Sequence, residues 1–324
     1  MTLLAVKPLV RRHSEIGIFL IGAILVAYFS ATSGGYWANL YNVGTIMQQT
    51  STLGLMVLGI ALVITTGEID ISVGSTFGVG ALVYLWLALR IDPVLAALCA
   101  TAVGAAIGTF NGVLVTRTNT PSLIITLGSL MIFRGIAIAL TSGFAFSIPY
   151  KQRGGFTYWL LGGDTLLGFN TALIWLVVSL VALSVMLRLM PWGNRLLAVG
   201  GASDSALSRG VRVDRIKLSA FILCGALSAF GGALEAGKLG SADGSMGRLM
   251  ELQAIASCVL GGTLLTGGRV SLFGALAGAF VLSSIQSYLV IMGVAPQWFM
   301  VLLGVIVVAA ALGDRSLRQW ALRK

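Results

Sequence analysis

The stretch Gly67-Glu68-Ile69-Asp70-Ile71-Ser72-Val73-Gly74-Ser75 sets two carboxylates and two hydroxyls inside an otherwise apolar sequence. A charge at the centre of a bilayer costs roughly 3 kcal/mol or more, so this stretch belongs in a break between two membrane helices, in the protein interior or at the aqueous boundary. Two kinds of work are open to it. Asp70 and Ser72 are good caps for a following helix, while Gly67 and Gly74 permit a tight turn or close backbone approach. Alternatively, Glu68 and Asp70 control a polar passage, or lock the inner ends of helices while that passage opens and closes.

Other polar residues stand in apolar runs and pose the same choice. Gly104 and Gly108 form a small-xxx-small face that licenses close helix packing; Asn111, which follows them, either joins helices or hydrogen-bonds a hydroxylated solute. Thr126 and Ser129 offer weaker versions of that role. Arg134 needs a carboxylate or helix-end carbonyls if it lies deep, and snorkels to water if shallow. Gln48, Gln49 and Thr50 open the second span, where they either support packing or line an outer vestibule. Glu251 and Gln253 begin a later span leading to Gly261-Gly262-Thr263 and Thr266-Gly267-Gly268-Arg269, the pattern of a helix that ends early in a reentrant turn. Arg269 there is either a cytoplasmic anchor or an anion ligand, and Glu235-Ala236-Gly237-Lys238 reads as a charge-balanced helix exit.

Several chemistries are unsupported. No Gly-x-x-x-x-Gly-Lys-[Ser/Thr] loop occurs, so the chain lacks that device for binding ATP. Glu68 and Asp70 are too close in sequence to flank a glycosidic bond. His13 is the single histidine, and Cys99, Cys224 and Cys258 each sit in apolar runs without a second ligand at metal spacing. The expectation is transport rather than catalysis, with no cofactor and no metal bound by this chain.

The elements that position these residues follow from composition. Charged residues make up 10% of the chain against roughly 25% in soluble domains, mean hydropathy is +0.96, and there are 42 glycines. At about 20 apolar residues per crossing, spans are expected near 15-32, 46-66, 73-89, 94-115, 122-141, 171-188, 217-236, 249-265, 272-291 and 297-312. The fold class is an all-α polytopic membrane protein of about ten transmembrane helices, a single domain over 1-324, with broken or reentrant segments near 67-75 and 262-271. With the N-terminus inside, fifteen basic residues fall on the cytoplasmic side (Lys7, Arg11, Arg12, Arg117, Arg188, Arg195, Arg209, Arg212, Arg215, Lys217, Arg269, Arg315, Arg318, Arg323 and Lys324). Five fall outside (Arg90, Lys151, Arg153, Lys238 and Arg248), which supports both termini in the cytoplasm. The net charge of +10 therefore records topology, not nucleic-acid binding. The apolar run from Ile16 continues without a clear cleavage site, which favours a retained first helix over a signal peptide.

Two connections are long. The outer one, Ser142 to Asn170, carries Pro149, Tyr150, Phe156, Tyr158 and Trp159, and is either an interfacial cover or an external docking surface. In the inner one, 189-216, residues 194-210 can form a short helix opened by Ser203 and stopped by Gly210, with Ala206 and Leu207 available to a partner. An internal echo runs through the chain: Thr66-Gly67, Gly74 and Gly78 recur as Thr266-Gly267, Gly274 and Gly278, an offset of 200. Two related halves would place a transport path at their interface.

Taken jointly, these segments resemble the inner-membrane permeases of bacterial ABC importers for ribose and related monosaccharides, including the branch that takes up the furanosyl autoinducer-2 signal. The resemblance runs from about Tyr41 to Asp314 and rests on Thr66 to Ser75, Asn111-Gly112-Val113-Leu114-Val115, Thr126-Leu127-Gly128 with Arg134-Gly135, and Glu251 to Ala256 leading to Gly261-Gly262-Thr263 and Thr266 to Arg269. The family usually has glycine at Glu68, aspartate at Gln253 and a bulky residue at Ser122. The resemblance implies a second permease subunit, identical or paralogous, cytosolic ATPases that hold ATP and magnesium, a periplasmic sugar-binding protein and a location in the bacterial inner membrane among its lipids. It also implies that the inner loop couples to the ATPase through Gly200, Gly201, Ala202, Ser203, Asp204, Ala206, Leu207, Arg209, Gly210 and Arg212. Rivals left open are an ion-gradient-driven carrier of a small polar solute and a nontransporting membrane scaffold.

Overall fold

A computed structural model describes residues 15–118, 120–149, 153–165 and 169–322, without the side chains of 15, 16 and 310–322. Lys7, Arg11, Arg12, His13, Tyr150, Lys151, Arg323 and Lys324 lie outside the described residues, as do the side chains of Arg315 and Arg318. The chain is helical almost throughout: α1 Glu15–Thr32, α2 Leu40–Thr65, α3 Val73–Ala88, α4 Pro93–Thr118, α5 Ser122–Thr141, α6 Phe156–Gly162, α7 Ala172–Leu189, α8 Pro191–Gly201, α9 Ser203–Ser208, α10 Val213–Leu239, α11 Met250–Leu260, α12 Leu272–Ile291 and α13 Gln297–Leu322. Two short strands, β1 Phe146–Ser147 and β2 Ser241–Ala242, pair antiparallel.

Among the described residues six helices, α2, α4, α5, α7, α10 and α12, are long and apolar enough to cross a membrane. Four shorter apolar helices accompany them: residues 17–32 of α1, α3, α11 and residues 297–309 of α13. The expected span over 249-265 is corrected. Its helix, α11, has 11 residues and a length of about 16 Å, roughly half the hydrocarbon thickness.

α2 and α10 form the centre, and the small residues show how. A Cβ on Gly104 would stand 2.3 Å from the Gly225 carbonyl oxygen, and one on Gly108 2.2 Å from that of Phe221. α4 and α10 therefore touch backbone to backbone, as the small-xxx-small spacing predicts. Cys224 and Cys258 are buried in this core, whereas Cys99 is exposed.

The outer connection holds more structure than a cover. α6 docks on α10, where the Tyr158 hydroxyl donates to the Gly237 carbonyl at 2.7 Å. The inner connection folds as two helices, α8 and α9. Ser203 provides no side-chain cap; its hydroxyl donates back to the Val199 carbonyl at 2.8 Å. Gly210 does stop α9, with φ of +80° and its N–H on the Leu207 carbonyl.

Candidate functional site

The first break spans residues 66–72 between α2 and α3. α2 stops because Gly67 turns the chain at φ +82°, a conformation that costs glycine little. Asp70 is 1% exposed, and its Oδ1 accepts both the N–H of Ser72 at 2.9 Å and its hydroxyl at 2.6 Å. Asn111, fully buried on α4, donates from Nδ2 to the same Ser72 hydroxyl at 2.8 Å. Asn111 thus joins α4 to the first break through Nδ2, while its buried Oδ1 has no partner among the described residues. Ser72 makes no side-chain cap to α3, correcting that expectation; its carbonyl instead takes the hydroxyls of Ser75 and Thr76.

Glu68 and Ser122, where the resemblance implies glycine and a bulky residue, have partners here. Glu68 faces Lys217 at the start of α10, Nζ to Oε1 2.5 Å. Ser122 at the head of α5 accepts the Ile69 N–H at 3.1 Å, while the Thr126 hydroxyl reaches the Ile69 carbonyl at 3.3 Å. Ser129, a turn further on, is buried. Lys217 reads in the sequence as a basic flank, and only its spacing in three dimensions reveals the pairing.

The second break, 261–271, lies directly against the first. Gly268 N–H donates to the Thr65 carbonyl at 2.9 Å, and Gly267 turns at φ +85° as Gly67 does at +82°. α8 closes the group. A Cβ on Gly200 would fall 1.6 Å from the Thr65 carbonyl oxygen and 2.5 Å from the Gly268 nitrogen. Three segments far apart in sequence thus meet through bare backbone. Beyond Gly200, the residues expected to couple are mostly at the surface: Gly201, Ala202, Asp204, Leu207, Arg209, Gly210 and Arg212 are exposed, and Ser203 half-buried. Ala206 is corrected, being 4% exposed and packed into the fold.

A second polar cluster lies on the non-helical approach to α11. Residues 243–249 run non-helically along α5 and α3 to the start of α11. Arg134 on α5 donates to the carbonyls of Ser245 and Met246, at 2.8 and 3.1 Å, so its partners are backbone oxygens of this non-helical segment. Glu251 is 7% exposed and accepts the Leu249 N–H at 3.3 Å, and Gln253 is half-buried two residues along. Asp243, Ser245 and Arg248 carried no role in the sequence reading, which took this stretch for an external loop; its glycines at 244 and 247 were the available signal.

The remaining predicted residues lie elsewhere. Gln48 donates to Glu235 on α10 at 3.3 Å, Gln49 is half-buried and Thr50 is 6% exposed, all within central α2. At the exit of α10, Lys238 makes its ion pair with Asp164 at 2.6 Å. Among the described residues no group of three or more His, Cys, Asp or Glu side chains is placed to hold a metal ion.

Comparison with known proteins bears on this arrangement. The family described as the branched-chain amino acid transport system / permease component matches residues 42–311. The ribose import permease protein RbsC of Bacillus subtilis (strain 168) is 35% identical over 304 residues, covering 93% of each chain. That of Escherichia coli (strain K12) is 33% identical over 297 residues, covering 90% of this chain and 91% of its own. The autoinducer 2 import system permease protein LsrC of Yersinia pseudotuberculosis is 36% identical over 287 residues, covering 85% of this chain and 79% of its own. No solved structure matches the chain. With broken helices meeting at a shared backbone junction and a family match over residues 42–311, the chain belongs to this family of transport-system permeases.

Proposed function

We propose that this permease is the membrane subunit of an ATP-driven importer for a monosaccharide or a related furanosyl or polyol solute. It is a transport component that depends on a separate ATPase, and its relatives import ribose and autoinducer 2. In this reading the face carrying α8 and α9 is cytoplasmic, as the distribution of Lys and Arg supports. The chain crosses about ten times, with α11 forming only the inner half of one crossing. A second permease subunit, cytosolic ATPases loaded with ATP and magnesium, and a periplasmic sugar-binding protein complete the assembly in the lipid of the inner membrane.

The observation that carries the proposal is the contact of α8 with both breaks. The Thr65 carbonyl receives the Gly268 N–H and lies against Gly200. A displacement of α8–α9 by the ATPase therefore has no flexible side chain in which to dissipate; it moves the ends of α2 and α11 together. Nucleotide states that bind differently to the two positions of α8–α9 would shift the permease between inward-open and outward-open forms.

The test is uptake of labelled pentoses, hexoses and furanosyl signals by the reconstituted assembly, with and without ATP and binding protein. Uptake of one compound that requires both supports the importer. Flux driven by an ion gradient alone would replace it with a secondary carrier, and absence of both flux and ATPase stimulation would leave a scaffold.

A further inference from the structure

We propose that the unwound segment Asp243–Leu249 is where the transported solute touches the permease, and that it suits a neutral, hydroxyl-rich molecule. This rests on the importer reading and names the site within it. Non-helical backbone at membrane depth is tolerated only where protein buries it or where it lines a water-filled cavity. The packing on one side of the segment meets the first condition, and the charges on its other side argue for the second.

The buried side is laid against α3 and α5. A Cβ on Gly78 would stand 2.6 Å from the Met246 carbonyl oxygen, one on Gly74 2.7 Å from that of Gly247, and one on Gly244 2.6 Å from the Ile138 Cα. These contacts fix its depth: Arg134, which holds the Ser245 and Met246 carbonyls, lies about 10 Å along α5 from its Thr141 end. Gly74 lies in the first turn of α3. The segment thus descends from the β1–β2 pair well into the membrane.

The other side is open. Ser245 and Arg248 are exposed at this depth; Asp243, half-buried, accepts the Ser245 N–H and hydroxyl, and Gln253 is half-buried in the first turn of α11. An arginine here does not tolerate lipid, so the open side faces water. The internal echo sharpens the contrast. At the offset of 200, Arg248 and Leu249 correspond to Gln48 and Gln49, which are helical and packed inside α2. The stretch that builds the core of one half is unwound and open in the other, with Leu249 held at φ +68°.

The chemistry of the open side selects a ligand class. On the open side Arg248 and Asp243 offset each other, and Arg134 is offset by the buried Glu251 behind it, so no net charge favours an ion. The Ser245 hydroxyl, which donates to Asp243 Oδ1, keeps its acceptor lone pairs, Gln253 both donates and accepts, and the charged groups add strong donors and acceptors suited to alternating hydroxyls.

Ser245→Cys and Arg248→Cys, each in full-length chain carrying Cys99→Ser and assembled with its partners, test this. A membrane-impermeant methanethiosulfonate is expected to label both at least about ten-fold faster than Val181→Cys, an exposed apolar position of α7 whose thiol in lipid does not ionise. Labelling is expected to block uptake of whichever sugar the assembly transports, and reduction to restore it. Labelling no faster than at Val181→Cys, or full uptake after complete labelling of Ser245→Cys, overturns the proposal. If no sugar is transported at all, the importer reading fails, while the labelling rates still decide whether the segment faces water.

Discussion

Lys217 and Glu68 meet at 2.5 Å, tying the base of α10 to the first break although they are 149 residues apart. Their side chains retain 20% and 16% of their exposure, so the pair is partly shielded from water. Such a pair is worth more than an exposed one yet stays open to the solvent screening that limits surface bridges. Because α10 follows directly from α9, the pair also ties the inner connection to the break.

Removing one partner leaves the other half-buried and uncompensated. Glu68→Gln and Lys217→Gln are each expected to lower the thermal midpoint of the purified permease, and the double variant to recover part of the loss. A double-mutant cycle should return a coupling of about 1 kcal/mol. Strict additivity of the two single effects would show the pair to be incidental.

Gly200 has no room for a methyl group against the Thr65 carbonyl. Gly200→Ala should insert and assemble but lose ATP-dependent uptake by roughly ten-fold or more, since α8 must lift off the breaks. Gly17→Ala on α1, where nothing lies within 4 Å, is the control. Comparing uptake with ATPase turnover separates uncoupling from misassembly: hydrolysis that persists without uptake identifies the former.

Leu207 and its neighbour Ala206 differ in exposure, 63% against 4%. Leu207→Glu is expected to leave expression and thermal midpoint intact while weakening association with the ATPase. Ala206→Asp buries a charge under α9 and should cost about 2 kcal/mol or more of stability before any partner is added. Co-purification of the ATPase with each variant reads this out, and undiminished recovery with Leu207→Glu would remove α9 from the contact.

Asp70 uses one oxygen for both bonds from Ser72, and asparagine keeps that oxygen. Asp70→Asn should therefore preserve uptake within about three-fold, whereas Asp70→Ala strands buried donors at about 1–3 kcal/mol each and should lower uptake and stability together. If Asp70→Asn abolishes uptake while the fold persists, the charge itself acts in gating.

Much of this molecule was legible in one dimension. Apolar runs at crossing length located α1, α5 and α12 to the residue, Gly67 and Gly267 marked two turns that only glycine makes cheaply, and Gly104 and Gly108 marked a close contact. These are local properties: hydropathy, backbone freedom and small volume act on a residue whatever lies opposite. Which residues lie opposite was decided by the tertiary structure. Nothing near Lys217 announces Glu68, nothing near Thr65 announces Gly200 and Gly268, and residues 243–249 read as a polar loop until α3 and α5 supply the surface on which they pack. A loop enters hydrocarbon only when distant neighbours satisfy its backbone, as Arg134 does for Ser245 and Met246, and that satisfaction exists only once the helices have packed.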